Sequence, residues 1–167
     1  MSERFLSHPS VQHAASCLSA AGHPHKVIAL EDTARSAEEA AAALAVETGA
    51  IVKTLMFVVG ETDDPVIGLV AGDRQCDVTV LAGLTGNSAP CRRPDAARVK
   101  AVTGYAIGGV SPVGLPDGVP VFMDESLFRF ATVWSAAGHP YCVFQASPHA
   151  LQALCGATLA DGLGIIG

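Results

Sequence analysis

No stretch of this sequence reaches the roughly 18 apolar residues that a membrane-spanning helix needs. Its start, MSERFLSHPSVQ, has neither the basic opening nor the apolar run of a secretory signal. The chain therefore reads as cytoplasmic, with no membrane partner. Its cysteines, Cys17, Cys76, Cys91, Cys142 and Cys155, are odd in number and form no C-x-x-C pair. That excludes a disulfide framework or a zinc knuckle and leaves them as small buried hydrophobes. No H-E-x-x-H occurs, and the glycine signatures of nucleotide-binding turns are missing as well, so neither a metal nor an organic cofactor is expected. A Ser111, His139 and Asp124 triad can be written down, but no G-x-S-x-G elbow supports it. Charge is scarce too: 16% of residues are charged, and the net charge is −6. A protein that coats nucleic acid along its length would be basic, so no DNA partner is expected; a protein that grips only an end is not excluded.

What is present is a half-hydrophobic chain of 167 residues, enough for one core and too short for two ordinary domains. HPSVQHAASCLSAAG reads as a helix stopped by Gly22, and KVIAL as a short strand. SAEEAAAALAVETG opens with a capping box, Ser36 and Glu39, and is expected to run to about Gly49. AIVKTLMFVV and PVIGLVA, joined by the acidic turn GETDD, predict a hairpin. DVTVLAGLTG leans to a short helix, and PDAARVKAVTG to a helix with proline at its first position and Gly104 at its end. GVPVFMDE, FATVWSA and YCVFQA predict strands, the last two paired across AGHP, before a final helix opened by Ser147 and Pro148. SAAGHP occurs twice, at 19–24 and 135–140, as two similar turns rather than a repeat. The fold class is α/β in the mixed α+β sense. One domain over residues 1–167 would hold a mixed, partly closed sheet or barrel with helices outside.

Three features carry chemistry. TGYAIGGVSPVG spends four glycines and a proline on one loop, with Gly108 and Gly109 adjacent. Either this is a structural turn, or backbone is bared so that a ligand can approach its N–H and C=O groups. Lys53 is the one charge in a strand apolar on both faces, so it snorkels out or meets an anion. RRPDAARVK gathers four of the ten Lys and Arg residues just before the glycine loop, as a solvated helix face or as a phosphate-gripping patch.

VKTLMF, then GYAIGGVSP, then ATVWSAAGHPYCVF before a capped helix resemble the YbaK/ProX family of freestanding aminoacyl-tRNA deacylases, similar to the editing domain of bacterial prolyl-tRNA synthetases. The resemblance covers about residues 26–154. It implies hydrolysis of the ester joining a wrong amino acid to the terminal adenosine of a tRNA. Its partners would be the aminoacyl-tRNA 3′ end and, as a candidate recruiting protein, prolyl-tRNA synthetase.

By position, the resemblance implies that Lys53 holds the terminal adenosine's phosphate, and that backbone at Gly108 and Gly109 serves the reaction. Val110, Ser111 and Pro112 would line the ester site, with Ser135 as the small residue of the penultimate strand and Gly138 and His139 in the turn after it. Where cysteine-specific members carry an aspartate beyond that turn, the nearest residue here is Cys142. The implied function is deacylation in trans, without a metal, of tRNA(Pro) carrying Ala, Cys or 2-aminobutyrate. The alternative is a non-catalytic module that binds a tRNA end or a nucleotide.

Overall fold

A computed structural model describes residues 2–31 and 35–166. Its elements are, in chain order, α1 (Pro9–Ala20), β1 (Ile28–Ala29), α2 (Ala37–Leu44), β2 (Val52–Val59), β3 (Asp64–Ala71), β4 (Gln75–Cys76), α3 (Val78–Leu84), α4 (Ala96–Thr103), β5 (Val121–Asp124), β6 (Val133–His139), β7 (Cys142–Ala146), α5 (Pro148–Cys155), β8 (Thr158–Ala160) and β9 (Gly164–Ile165). Short 3-10 turns lie at Ser2–Ser7, Thr48–Ala50 and Glu125–Arg129.

Helices start where side chains can take up their free N–H groups. Ser36 and Glu39 form the full capping box of α2; Asp77 caps α3, Asp95 caps α4 and Ser147 caps α5. Pro94 thus precedes the cap of α4 rather than standing at its first helical position. α2 closes before Gly49: Ala45 takes a left-handed φ of 57°, and the Val46 N–H returns to the Ala41 carbonyl at 3.0 Å. That closure frees the chain to turn through Thr48–Ala50 into β2.

The β2–β3 hairpin is antiparallel, from Val52 opposite Ala71 to Val59 opposite Asp64. It is buried on both faces, as its unbroken apolar runs require. Met56, Ile67 and Leu69 join the main core with Met123, Phe144 and Leu151, while Phe57, Val66 and Val70 pack with Leu81 and Leu163 on the other side. Each such side chain contributes about 1.5–3 kcal/mol by leaving water. β3 then pairs in parallel with β5, and β5 with β8.

The sheets run β2-β3-β5-β8, β1-β7-β6 and β4-β9, and none closes on itself. The expected partial closure or barrel is replaced by open sheets, because β2 and β6 meet through one parallel bridge, Ile51 to Trp134, and then part. The space opened there holds the candidate site.

Candidate active site

The gap between edge strand β2 and β6 is bounded on its third side by the glycine loop, leaving a pocket of about 290 Å3. Residues 51–55 form one wall, Trp134 and Ala136 a second, and Ile107, Gly108 and Val110 a third; Arg35, Ala40 and Val143 complete it.

Lys53 is half-buried, and its Nζ donates to the Arg74 carbonyl oxygen at 2.8 Å. Among the described residues no carboxylate pairs with it. One carbonyl occupies one of three ammonium protons, so Lys53 is a fixed cation with donors left for an anion.

The two adjacent glycines differ. Gly108 is exposed at φ +90°, and a Cβ there would meet only Pro140 Cγ, at 3.4 Å. Among the described residues its N–H has no protein acceptor. Gly109 does not line the pocket: its N–H donates to the Ala106 carbonyl at 3.0 Å, its own carbonyl accepts from Gly138 N–H at 3.0 Å, and a Cβ would strike the Gly138 and His139 backbone at 2.9 Å. Its amide is already used, so it is a close-packing position.

Val110 lines the pocket, whereas Ser111 and Pro112 are buried away from it. Ser111 Oγ accepts from Val113 N–H at 3.3 Å, beside Tyr105, whose hydroxyl donates to the Val113 carbonyl at 2.8 Å. Ser135 is buried opposite Phe144; strand alternation turns it to the core and gives the pocket Trp134 and Ala136 instead. Gly138, at φ +95°, lets the start of α1 cross β6, since a Cβ would meet Ser10 backbone at 2.6 Å.

His139 lies in a neighbouring hollow with Arg4, Arg35 and Tyr141, stacked on Phe5 at 3.9 Å. Burial, then the nearby His8 and Arg4, hold its pKa below the usual imidazole value. Ser111, His139 and Asp124 form no triad, for each is bonded or stacked elsewhere; Asp124 accepts from Ser126.

Sequence reasoning passed over Thr54, Trp134, Ala136 and Arg35. Thr54 Oγ1 is buried in the pocket wall without a partner among the described residues, and Arg35 Nε donates to the Tyr141 hydroxyl at 2.7 Å. A lone hydroxyl beside the lone lysine of an apolar strand, and the chain's one tryptophan, were the available signals. Among the described residues no Asp, Glu, His or Cys lines the pocket. Among the described residues none of these groups gathers in threes as metal ligands would. Burial pushes the Cys142 thiol up to about 11 and that of Cys76 to about 12, away from nucleophilic thiolate character.

Residues 31–154 match the model of the aminoacyl-tRNA editing domain. The chain belongs to the aminoacyl-tRNA editing domain family. Its activity class is that of an aminoacyl-tRNA deacylase. This editing domain is 30% identical, over 75% of its length and 76% of the relative's, to a candidate Cys-tRNA(Pro)/Cys-tRNA(Cys) deacylase, EbsC, of Enterococcus faecalis. It is 39% identical over 95 residues to the proline–tRNA ligase of Nitratidesulfovibrio vulgaris, spanning 56% of this chain and 16% of that enzyme. Among solved structures, a candidate trans-editing enzyme for prolyl-tRNA synthetase superposes with a TM-score of 0.85 at 39% identity, covering 95% of this editing domain and 98% of that chain. No described helix of the editing domain is long and apolar enough to cross a membrane.

Proposed function

We propose that this chain, acting as one editing domain, removes a small uncharged amino acid from mischarged tRNA(Pro) in trans, by hydrolysis that needs no metal and no side-chain base. The observation carrying this reading is the pocket's composition. It offers a fixed cation at Lys53, an unengaged amide at Gly108 and walls of Ala40, Ile51, Ala136 and Val143, but, among the described residues, no carboxylate, imidazole or thiol. The ester carbonyl needs a donor for the negative charge that develops on its oxygen, and the Gly108 N–H would supply one. Lys53 would hold the terminal phosphate. Water adds to that carbonyl, the bond to the ribose oxygen breaks, and the water's proton passes to the departing ribose oxygen, with the substrate's own ribose hydroxyl or amino group as the relay. Small apolar walls favour Ala, Cys or 2-aminobutyrate over charged side chains, and size selection of this kind yields about 1–3 kcal/mol per methylene.

The test is a deacylation panel: tRNA(Pro) and tRNA(Ala), each charged with Ala, Cys, Ser, Thr or 2-aminobutyrate, in excess over protein, with and without EDTA. Multiple turnovers on a small residue carried by tRNA(Pro), unaffected by EDTA, are expected. Retention of charged tRNA without release of amino acid would make the chain a binding module, and activity lost to EDTA and restored by zinc would overturn the metal-free reading.

A further inference from the structure

Lys53 belongs to two hollows. Besides the ester pocket, it lines a groove of about 550 Å3 on the other side of β2, together with Leu55, Phe57, Gln75, Cys76 and Arg93. Leu55 lines both as well, so the two hollows adjoin at the edge of β2. The carbonyl that tethers the Lys53 ammonium is that of Arg74, the residue before Gln75 in the groove wall.

The groove also separates the four cations of RRPDAARVK. Arg92 pairs with Asp63 and donates to the Gly60 carbonyl, Arg98 donates to the Asp63 carbonyl at 3.0 Å, and Lys100 donates to the Gly104 carbonyl at 3.1 Å. These three are taken up in securing the β2–β3 turn and the end of α4. Arg93 is exposed, has no ion pair or hydrogen bond among the described residues, and holds its guanidinium over the Phe57 ring at 5.5 Å. Among the described residues Lys53 and Arg93 are the charged ones of the groove, and no carboxylate lines it.

We infer that this groove binds the single-stranded nucleotides that precede the terminal adenosine, with Arg93 taking the phosphodiester on the 5′ side of the one at Lys53. The identity of the strand rests on the deacylase reading; the groove's preference for single-stranded RNA rests on its own charge and shape. A cationic groove with a guanidinium plane held on an aromatic ring is the chemistry that tracks a single-stranded backbone and offers a stacking surface to a base. The Gln75 amide, exposed in the same wall, carries both a donor and an acceptor for a base edge.

The experiment compares two substrates carrying the same amino acid: the charged tRNA, and the amino acid esterified to adenosine alone, which lacks the preceding nucleotides. Arg93→Ala should lower kcat/KM for the tRNA about tenfold more than for the adenosine ester, and should reduce the logarithmic salt slope by about 0.7. Arg93→Lys should restore most of the loss, and melting should confirm that this exposed position leaves the fold intact. Equal effects on the two substrates, or none on the tRNA, would overturn the groove. Binding of a 5′-labelled ACCA oligoribonucleotide is read in parallel by fluorescence anisotropy. If the wild type deacylates nothing in the panel, the deacylase reading fails while this measurement still decides the groove. Binding lost in Arg93→Glu supports it; no wild-type binding, or binding indifferent to Arg93, overturns it.

Discussion

At Gly108 an added Cβ would meet one proline carbon at ordinary contact distance, while one residue later, at Gly109, it would run into the Gly138 and His139 backbone at 2.9 Å. Gly138 completes the contrast, since a Cβ there would sit 2.6 Å from the Ser10 backbone. The glycine-rich motifs that mark this chain thus serve two ends. Gly108 keeps a pocket wall open and its amide available, whereas Gly109 and Gly138 let loop, β6 and α1 come within backbone contact of one another. A motif written in glycines does not say which of its members faces the ligand; that depends on what packs behind each one.

The largest effect expected is at the packed end. Gly138→Ala combines a positive φ with a backbone clash and should cost about 3 kcal/mol or more. That is roughly 10 °C in Tm for a chain of this size. Thermal melting checks it, and a variant that melts with the wild type would erase the contrast. Gly108→Val should remain folded, losing about 1–2 kcal/mol to its left-handed backbone. Its single-turnover deacylation should fall about 100-fold, the scale of one lost oxyanion donor. Full activity in that variant would make Gly108 a turn residue and nothing more.

Lys53→Ala, across the pocket from Gly108, should lower kcat/KM roughly 10- to 100-fold through weaker binding and poorer placement together, with the fold retained. Separate measurement of Kd and of the single-turnover rate distinguishes this from the Gly108 defect, which should lie mainly in the rate.

The smallest effect concerns His139, next to Gly138. Its folded-state pKa lies below that of a free imidazole, so the unfolded chain binds more protons between the two values. Stability should therefore rise with pH up to about 6.5 and fall below it. The drop in Tm from pH 7.5 to 5.5 should be smaller in His139→Phe, which keeps a ring against Phe5. An equal drop would assign the acid sensitivity in this window to groups other than His139.

Elements with a local cause were legible. The capping box at Ser36, the acidic turn between β2 and β3, the Asp cap of α3 and the serine–proline start of α5 each act within a few residues, and each element formed. β4, β8 and β9 were not foreseen, because two or three residues make a strand only when a partner arrives: Thr158–Ala160 is held by β5, and Gly164–Ile165 by β4. In the site, Lys53 of β2 and Gly108 and Val110 of the loop line one pocket. Ser135 illustrates the limit, since a shift of one residue along a strand exchanges its two faces, and Ala136 stands in the pocket instead.

By itself the sequence determined where helices begin, which runs are buried on both faces, and that one lysine and one glycine loop break an otherwise apolar pattern, because periodicity and capping act over a single turn or strand. Only the tertiary structure decided that β2 and β6 part after one bridge, that Gly109 and Gly138 spend their missing Cβ on packing, and that Arg93 alone of its basic cluster is left to face a groove. Those outcomes depend on which backbone arrives opposite each residue. That is set by contacts between segments more than a hundred residues apart, such as His13 Nε2 with the Gly114 carbonyl at 2.9 Å, which no local pattern can carry.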